Sequence, residues 1–359
     1  MTRTKLRELG ILIGKLRVGT KNCITDVPGV RVGHETLYYA LQNDEYVSTG
    51  VTAVLPHGGN LFRHKVAAAS YVLNGFGKTT GLVQLEELGR LESPIMLTNT
   101  FGVPAITQGT LECLLEESPE IGDTTGTINV VVGECNDSYL NAIRTFPIQP
   151  EHAREAIRKA TIHQAEEGAV GAGTGMVSFD YKGGIGCSSR LIGETYVIGC
   201  LVLSNFGKQE NLLQHNIFSH ESQQVKEQCN VESDGSIMII LATNAPLNER
   251  QLKRIAKRAG VGLGKAGSHI AHGSGDIVIA FSTAQTFPHH SDETKEKFVQ
   301  LLDDRATMNE LFIGAAEVTE EAIFNSLTMA ITTKGRKGRQ VNELPYNLFL
   351  DEAIKDERR

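Results

Sequence analysis

A chain of 359 residues and 39.0 kDa can bury a large apolar core without disulfides or a structural metal. Hydrophobic residues make up 40% of it and charged residues 21%, and the formal net charge of −7 argues against a nucleic-acid binder, which needs a basic surface to displace counterions from phosphates. The six cysteines (Cys23, Cys113, Cys135, Cys187, Cys200, Cys229) contain no C-x-x-C pair and the eleven histidines no H-E-x-x-H, so free buried thiols are expected and neither a metal nor a cofactor is.

The first residues, MTRTKLRELGILIGKL, are basic but lack the apolar stretch and small-residue cleavage site of a secretion signal. No apolar run approaches the roughly 20 residues that span a bilayer. A cytoplasmic protein without a membrane partner is the expectation. In chain order, a strand is predicted at 51–56, then a helix at 63–75 and another at 104–117 that opens on Pro104. A strand follows at 128–134, a helix at 150–167 behind Pro150, and a strand at 194–205. Next comes a polar, Gln- and Glu-rich stretch, 209–235, too long and aperiodic for an ordinary connection. It ends abruptly at a strand over 236–244, followed by a helix at 248–259, a strand at 276–283 and a helix at 308–331. Strands and helices alternate only loosely, which favours helices layered around mixed sheets over a doubly wound fold.

Glycine is abundant, 37 residues, with clusters at 168–175 and 259–275. Neither cluster is a nucleotide motif. GAGTGM at 171–176 lacks the G-x-G-x-x-G spacing, and GLGKAGS at 262–268 lacks both the first glycine and the Ser/Thr after Lys265 of a P-loop. Both read as loops that let backbone approach closely.

Four strand ends carry polar groups. Ser236 follows Gly235 and opens the apolar run SIMIIL, so its hydroxyl is placed to attack the Gly235 carbonyl, sever the chain and become a new N-terminus. That residue would then hold both a nucleophilic Oγ and an α-amine of pKa ~7.7–8.0 able to act as base. Ser274 and Asp276, two apart, share a face in an extended chain, where a carboxylate behind a hydroxyl can relay a proton. Asn205 ends a buried strand, where its amide can donate to an oxyanion. Glu134 stands at another strand end, where an anion can hold a free ammonium. Each alone is also what an ordinary turn or a solvated carboxylate provides; four together are hard to explain that way.

These residues lie in a set of motifs that resembles the DmpA/BapA-type peptidases, the L-aminopeptidase/D-esterases and β-peptidyl aminopeptidases. ITDVPGVRVGH (24–34), GVTAVLPHGGN (50–60), LTNTFGVP (97–104), VVGECNDSYLN (131–141), GAVGAGTGMVSFDYKGGIGCSSR (168–190), LSNFG (203–207), DGSIMIILATNAPL (234–247) and HGSGDIVIAFST (272–283) run in order across nearly the whole chain. The resemblance implies an α/β fold, a four-layer αββα sandwich of the N-terminal-nucleophile (Ntn) hydrolase kind. The chain would form a single domain that cuts itself into an α chain (1–235) and a β chain (236–359). It implies Ser236 as nucleophile, Ser274 and Asp276 in proton transfer, Asn205 in the oxyanion hole, Glu134 on the substrate ammonium and Phe101 beside it. Some relatives carry glutamate where Asp276 stands. Others use a tyrosine near Glu134; here Asn136 and Tyr139 both stand close to it in the sequence, and the resemblance assigns that part to neither. Substrates would be short peptides, amides or esters with a free amine, and the assembly a homotetramer of cleaved protomers.

Two alternatives are an ornithine acetyltransferase-like acyl transferase of the same fold and a non-catalytic binding scaffold. The first uses a threonine nucleophile, and no matching threonine follows a glycine here. The second would have lost the serine, the asparagine or the carboxylate, and all are present.

Overall fold

The computed structural model describes residues 3–212, 214–219, 235–303 and 305–349. Its elements are β1 (Arg31–Ala40), β2 (Tyr46–Leu55), β3 (His64–Gly75), α1 (Leu82–Leu88), β4 (Arg90–Leu91), β5 (Ile95–Asn99), α2 (Val103–Glu117), β6 (Val131–Cys135) and α3 (Glu151–Arg158). They continue with β7 (Val177–Ser178), β8 (Tyr181–Lys182), β9 (Gly184–Ile192), β10 (Tyr196–Asn205), α4 (Gln209–Leu212), β11 (Ser236–Thr243), α5 (Glu249–Lys265), β12 (Gly275–Pro288) and α6 (Ala306–Thr328). Two sheets form the centre: a four-stranded one in the order β1-β2-β5-β6 and a six-stranded one in the order β4-β3-β12-β11-β10-β9.

Strand β11 shows how the layers follow from sequence. Ile237, Ile239 and Leu241 point to one core, shared with Ile255, Ala259 and Leu263 of α5 and Ala315 and Val318 of α6. Met238, Ile240 and Ala242 point the other way, to a core shared with Val54, Leu97 and Val131 of the four-stranded sheet. A strand apolar on both faces must be covered on both, and each fully buried side chain of this size contributes about 1.5–3 kcal/mol. A third core, with Val51, Ala53, Met96 and Val132 against Ile106, Ala153 and Ala156, seats α2 and α3 on the outer face of the smaller sheet. The result is helix, sheet, sheet, helix: the four-layer αββα sandwich.

Two predicted helices differ. The stretch 63–75 holds β3 (His64–Gly75), not a helix. Its alanine-rich run suggests helix, but Ala67 and Ala69 face the α5 core while Val66 and Ala68 face the inter-sheet core, a period of two. Small residues on both faces let a helix and a second sheet close on this strand from either side. Helix α3 stops at Arg158, well short of 167, because Thr161 exchanges both backbone hydrogen bonds with Val32 (3.0 Å each) and is drawn into an extended bridge. The polar stretch 209–235 begins as the short α4; residues 220–234 lie outside the described residues, as does Cys229. The other five cysteines are buried and free.

Candidate active site

Three neighbouring strands of the larger sheet end at one corner. Ser236 is the first residue of β11, opposite Asn205, the last residue of antiparallel β10, and level with Gly275, the first residue of parallel β12. The ladder therefore sets the three side by side. The Gly275 N–H donates to Ser236 Oγ at 3.1 Å. That occupies a lone pair of the hydroxyl and leaves its proton to be given elsewhere. Gly235 precedes the serine, and only glycine fits: a Cβ there would fall 2.3 Å from the Asn205 carbonyl oxygen and from Phe206 Cα.

Ser274 Oγ donates to Asp276 Oδ1 at 2.7 Å, and both residues are buried. Burial raises the Asp276 pKa to about 6, against the opposing pull of the Ser274 hydroxyl and the Ile237 N–H. The other carboxylate oxygen, Oδ2, is buried with no partner among the described residues. The turn before Ser274 is anchored by Asn74, whose Nδ2 donates to the carbonyls of Ala271 (3.1 Å), His272 (3.0 Å) and Ser274.

The Asn205 amide has one possible orientation. Its Oδ1 accepts the Val177 N–H at 2.9 Å, and its Nδ2 donates one hydrogen to the Asn136 carbonyl at 3.0 Å. The second Nδ2 hydrogen has no partner among the described residues.

Glu134 comes from the other sheet, in β6. Gly133 lets the sheets close there, since a Cβ at that position would lie 2.5 Å from Met238 Cε of β11. Glu134 is buried; its Oε1 accepts the Lys78 N–H at 2.9 Å and its Oε2 the Thr100 hydroxyl. Gly77 links it to the serine corner: a Cβ on Gly275 would be 3.0 Å from Gly77 Cα, and one on Gly77 3.7 Å from Glu134 Oε1. Phe101, next to Thr100, is 46% exposed and stacks on Phe146 with ring centroids 5.7 Å apart. The Asn136 side chain is exposed and turns back to accept the Ser138 N–H at 3.0 Å, whereas Tyr139 lies beneath the Arg339 guanidinium, 4.6 Å from its ring centre. The structure thus gathers Ser236, Asn205, Ser274, Asp276 and Glu134. The Asn136 carbonyl touches this group through the Asn205 amide.

Peptidase family S58 matches residues 22–341, most of the chain. The chain belongs to peptidase family S58. Among relatives of this S58 peptidase, the β-peptidyl aminopeptidase BapA of Sphingosinicella microcystinivorans is 36% identical over 364 residues, covering 95% of this chain and 90% of that one. A solved Burkholderia β-aminopeptidase is 34% identical with a TM-score of 0.89 over 99% of both chains. The L-aminopeptidase D-Ala-esterase/amidase of Ochrobactrum anthropi, a prototype for the serine aminopeptidases and a variant of the Ntn hydrolase fold, is 30% identical with a TM-score of 0.86 over 99% of both. The S58 peptidase is accordingly a serine aminopeptidase of the Ntn-hydrolase type, and nothing favours the acyl transferase.

Proposed function

We propose that this S58 peptidase cleaves itself between Gly235 and Ser236 and then, through the liberated Ser236, removes N-terminal L-α- or β-amino acids from short peptides, amides or esters. The observation that carries the reading is the corner where Ser236 Oγ, the Asn205 amide and the Ser274–Asp276 pair meet at the ends of three adjacent strands. In self-cleavage Ser236 Oγ attacks the Gly235 carbonyl carbon, the C–N bond breaks and the proton passes to the new amine; water then splits the ester and restores the hydroxyl.

In turnover the substrate's ammonium pairs with Glu134 and Ser236 Oγ attacks the first carbonyl. Asn205 Nδ2 donates to the oxyanion, the Ser236 α-amine takes the hydroxyl proton, and that proton passes through Ser274, backed by Asp276, to the departing amine; water then splits the acyl-Ser236 ester, releasing the amino acid and restoring the hydroxyl. Phe101 lines the recognition side. Relatives named for β-peptidyl and for L-aminopeptidase activity both support a substrate with a free N-terminal amine. A homotetramer of cleaved protomers in the cytoplasm completes the reading; light scattering of the purified protein checks the assembly.

Mass spectrometry of the purified protein tests the core of it. Two chains meeting at Gly235–Ser236 are expected, and Ser236→Ala should give one unbroken chain with turnover at least about 10⁴-fold lower. An Ser236→Ala protein that still splits overturns the nucleophile. Rates on β-alanyl, L-alanyl and D-alanyl amides then define the preferred residue.

A further inference from the structure

Lys182, in β8, is fully buried, and the mechanism above gives it no part. Its Nζ donates to three backbone carbonyls, those of Gly173 (2.9 Å), Met176 (2.8 Å) and Gly183 (2.7 Å). Three acceptors are what the three hydrogens of an ammonium require; a neutral amine would turn a lone pair toward a carbonyl. Burial presses the Lys182 pKa down to about 7, while the charge of Asp137 pulls the other way.

The Met176 carbonyl and the Val177 N–H belong to one planar peptide unit and point in opposite directions. Lys182 holds the carbonyl end of that unit, and Asn205 Oδ1 takes the N–H end at 2.9 Å. A cation on the carbonyl polarises the peptide and makes its N–H a stronger donor. That donor in turn polarises the Asn205 amide, whose Nδ2 hydrogens become stronger donors themselves. The line from Nζ to the free Nδ2 hydrogen is continuous and buried.

We propose that Lys182 is a positioning residue for the oxyanion hole, its buried charge relayed through the Met176–Val177 peptide to the Asn205 amide. Lys182 touches no substrate and acts only through Asn205. The proposal rests on the reading of Asn205 as the oxyanion donor, and the test separates the two.

Kinetics of Lys182→Met, Asn205→Ala and the double variant, with rates normalised to the fraction of split chains seen by mass spectrometry, provide that test. Asn205→Ala should lower kcat about 10²- to 10³-fold. Lys182→Met should lower kcat about 10-fold or more with KM within about twofold, since the oxyanion exists only in the transition state. In the double variant, Lys182→Met should cost almost nothing further. Lys182→Gln, which keeps two donors but no charge, should fall between wild type and Lys182→Met. An unchanged kcat in Lys182→Met, an equal loss with and without Asn205, or failure of both Lys182 variants to fold would each overturn the relay while leaving Asn205 standing. An unchanged kcat in Asn205→Ala would instead overturn the oxyanion reading itself.

Discussion

The two sheets contribute to the site in different ways. On the six-stranded side, Ser236, Asn205 and Gly275 are consecutive neighbours on a ladder, so their spacing is that of paired strands. On the four-stranded side, Glu134 stands alone and is oriented by two donors from elsewhere, the Lys78 N–H and the Thr100 hydroxyl. The two carboxylates differ in the same sense. Burial leaves Asp276 with a raised pKa and an oxygen without a partner, whereas Glu134 has both oxygens engaged. A raised pKa suits a group that exchanges protons, and a carboxylate fixed by two donors suits the holding of a cation in one place. Damage on the first side should therefore show in kcat, and damage on the second in recognition.

Among the changes that divide the two sides without removing the serine or the oxyanion donor, the largest expected effect tests how tightly the ladder corner is built. A Cβ at Gly235 would fall 2.3 Å from backbone atoms of Asn205 and Phe206, so Gly235→Ala must displace the Gly235–Ser236 peptide. Misplacement on the order of 1 Å costs about 10²-fold, and chain splitting should slow by at least that factor in intact-mass time courses. Splitting at the wild-type rate would mean the corner is looser than its packing indicates.

Asp276→Asn comes next. The amide can keep Oδ1 on the Ser274 hydroxyl, so the charge is removed while the buried Oδ2 gives way to an amide nitrogen. Turnover should fall about 10²-fold. The acid limb of kcat/KM, expected near the Asp276 pKa of about 6, should vanish with it. The sign of the stability change is separate evidence. Folding raises this pKa, so the folded state holds the proton more tightly, and stability declines as pH rises from the unfolded carboxyl value toward 6. Asparagine removes that loss, so Tm at pH 7 should hold or rise while activity drops. A falling Tm would point to structural damage.

How legible this was in the sequence follows the same division. Ser236 and Asn205 were visible because a polar residue flanked by glycine punctuates an apolar strand, and strand ends are where a ladder presents side chains. Ser274 and Asp276 were visible because period two puts them on one face. Strand β3 was not, since a strand covered on both sides by a helix and a sheet takes small residues on each face and mimics a helical run. Asn74, Thr100, Lys78 and Lys182 were not either. Asn74, Thr100 and Lys78 take their parts from partners far away in the chain, Lys182 from backbone carbonyls of a Gly-rich loop within nine residues of it, and the donors at Gly275, Lys78 and Val177 are backbone N–H groups that no residue type announces.

On the recognition side, Glu134→Gln is nearly isosteric. A glutamine can keep its oxygen on the Lys78 N–H and turn its amide toward the Thr100 hydroxyl, which can accept as well as donate. What is lost is the charge proposed to pair with the substrate ammonium. A charged hydrogen bond of about 1.5–3 kcal/mol corresponds to a KM roughly 10- to 100-fold higher, with kcat less affected. The preference for free over N-acetylated substrates should collapse together with the alkaline limb set by the substrate amine. Retention of that preference would move the ammonium site away from Glu134.

Phe101→Ala should be the mildest change and the most informative about shape. The ring is half exposed and leans on Phe146, itself exposed, so its removal leaves no buried cavity and Tm should shift little. As the proposed wall of the recognition pocket, Phe101 would give up apolar contact with the substrate's first side chain, and losing such a contact is worth about 1–3 kcal/mol between substrates that differ in it. kcat/KM should therefore fall about tenfold for bulky N-terminal residues and hardly at all for β-alanyl amides, whose first residue has no side chain to touch the ring. An equal loss on both substrates would mean that Phe101 orders the Thr100–Glu134 contact instead of forming the wall, and the two sides of the site would then be coupled through recognition rather than divided by it.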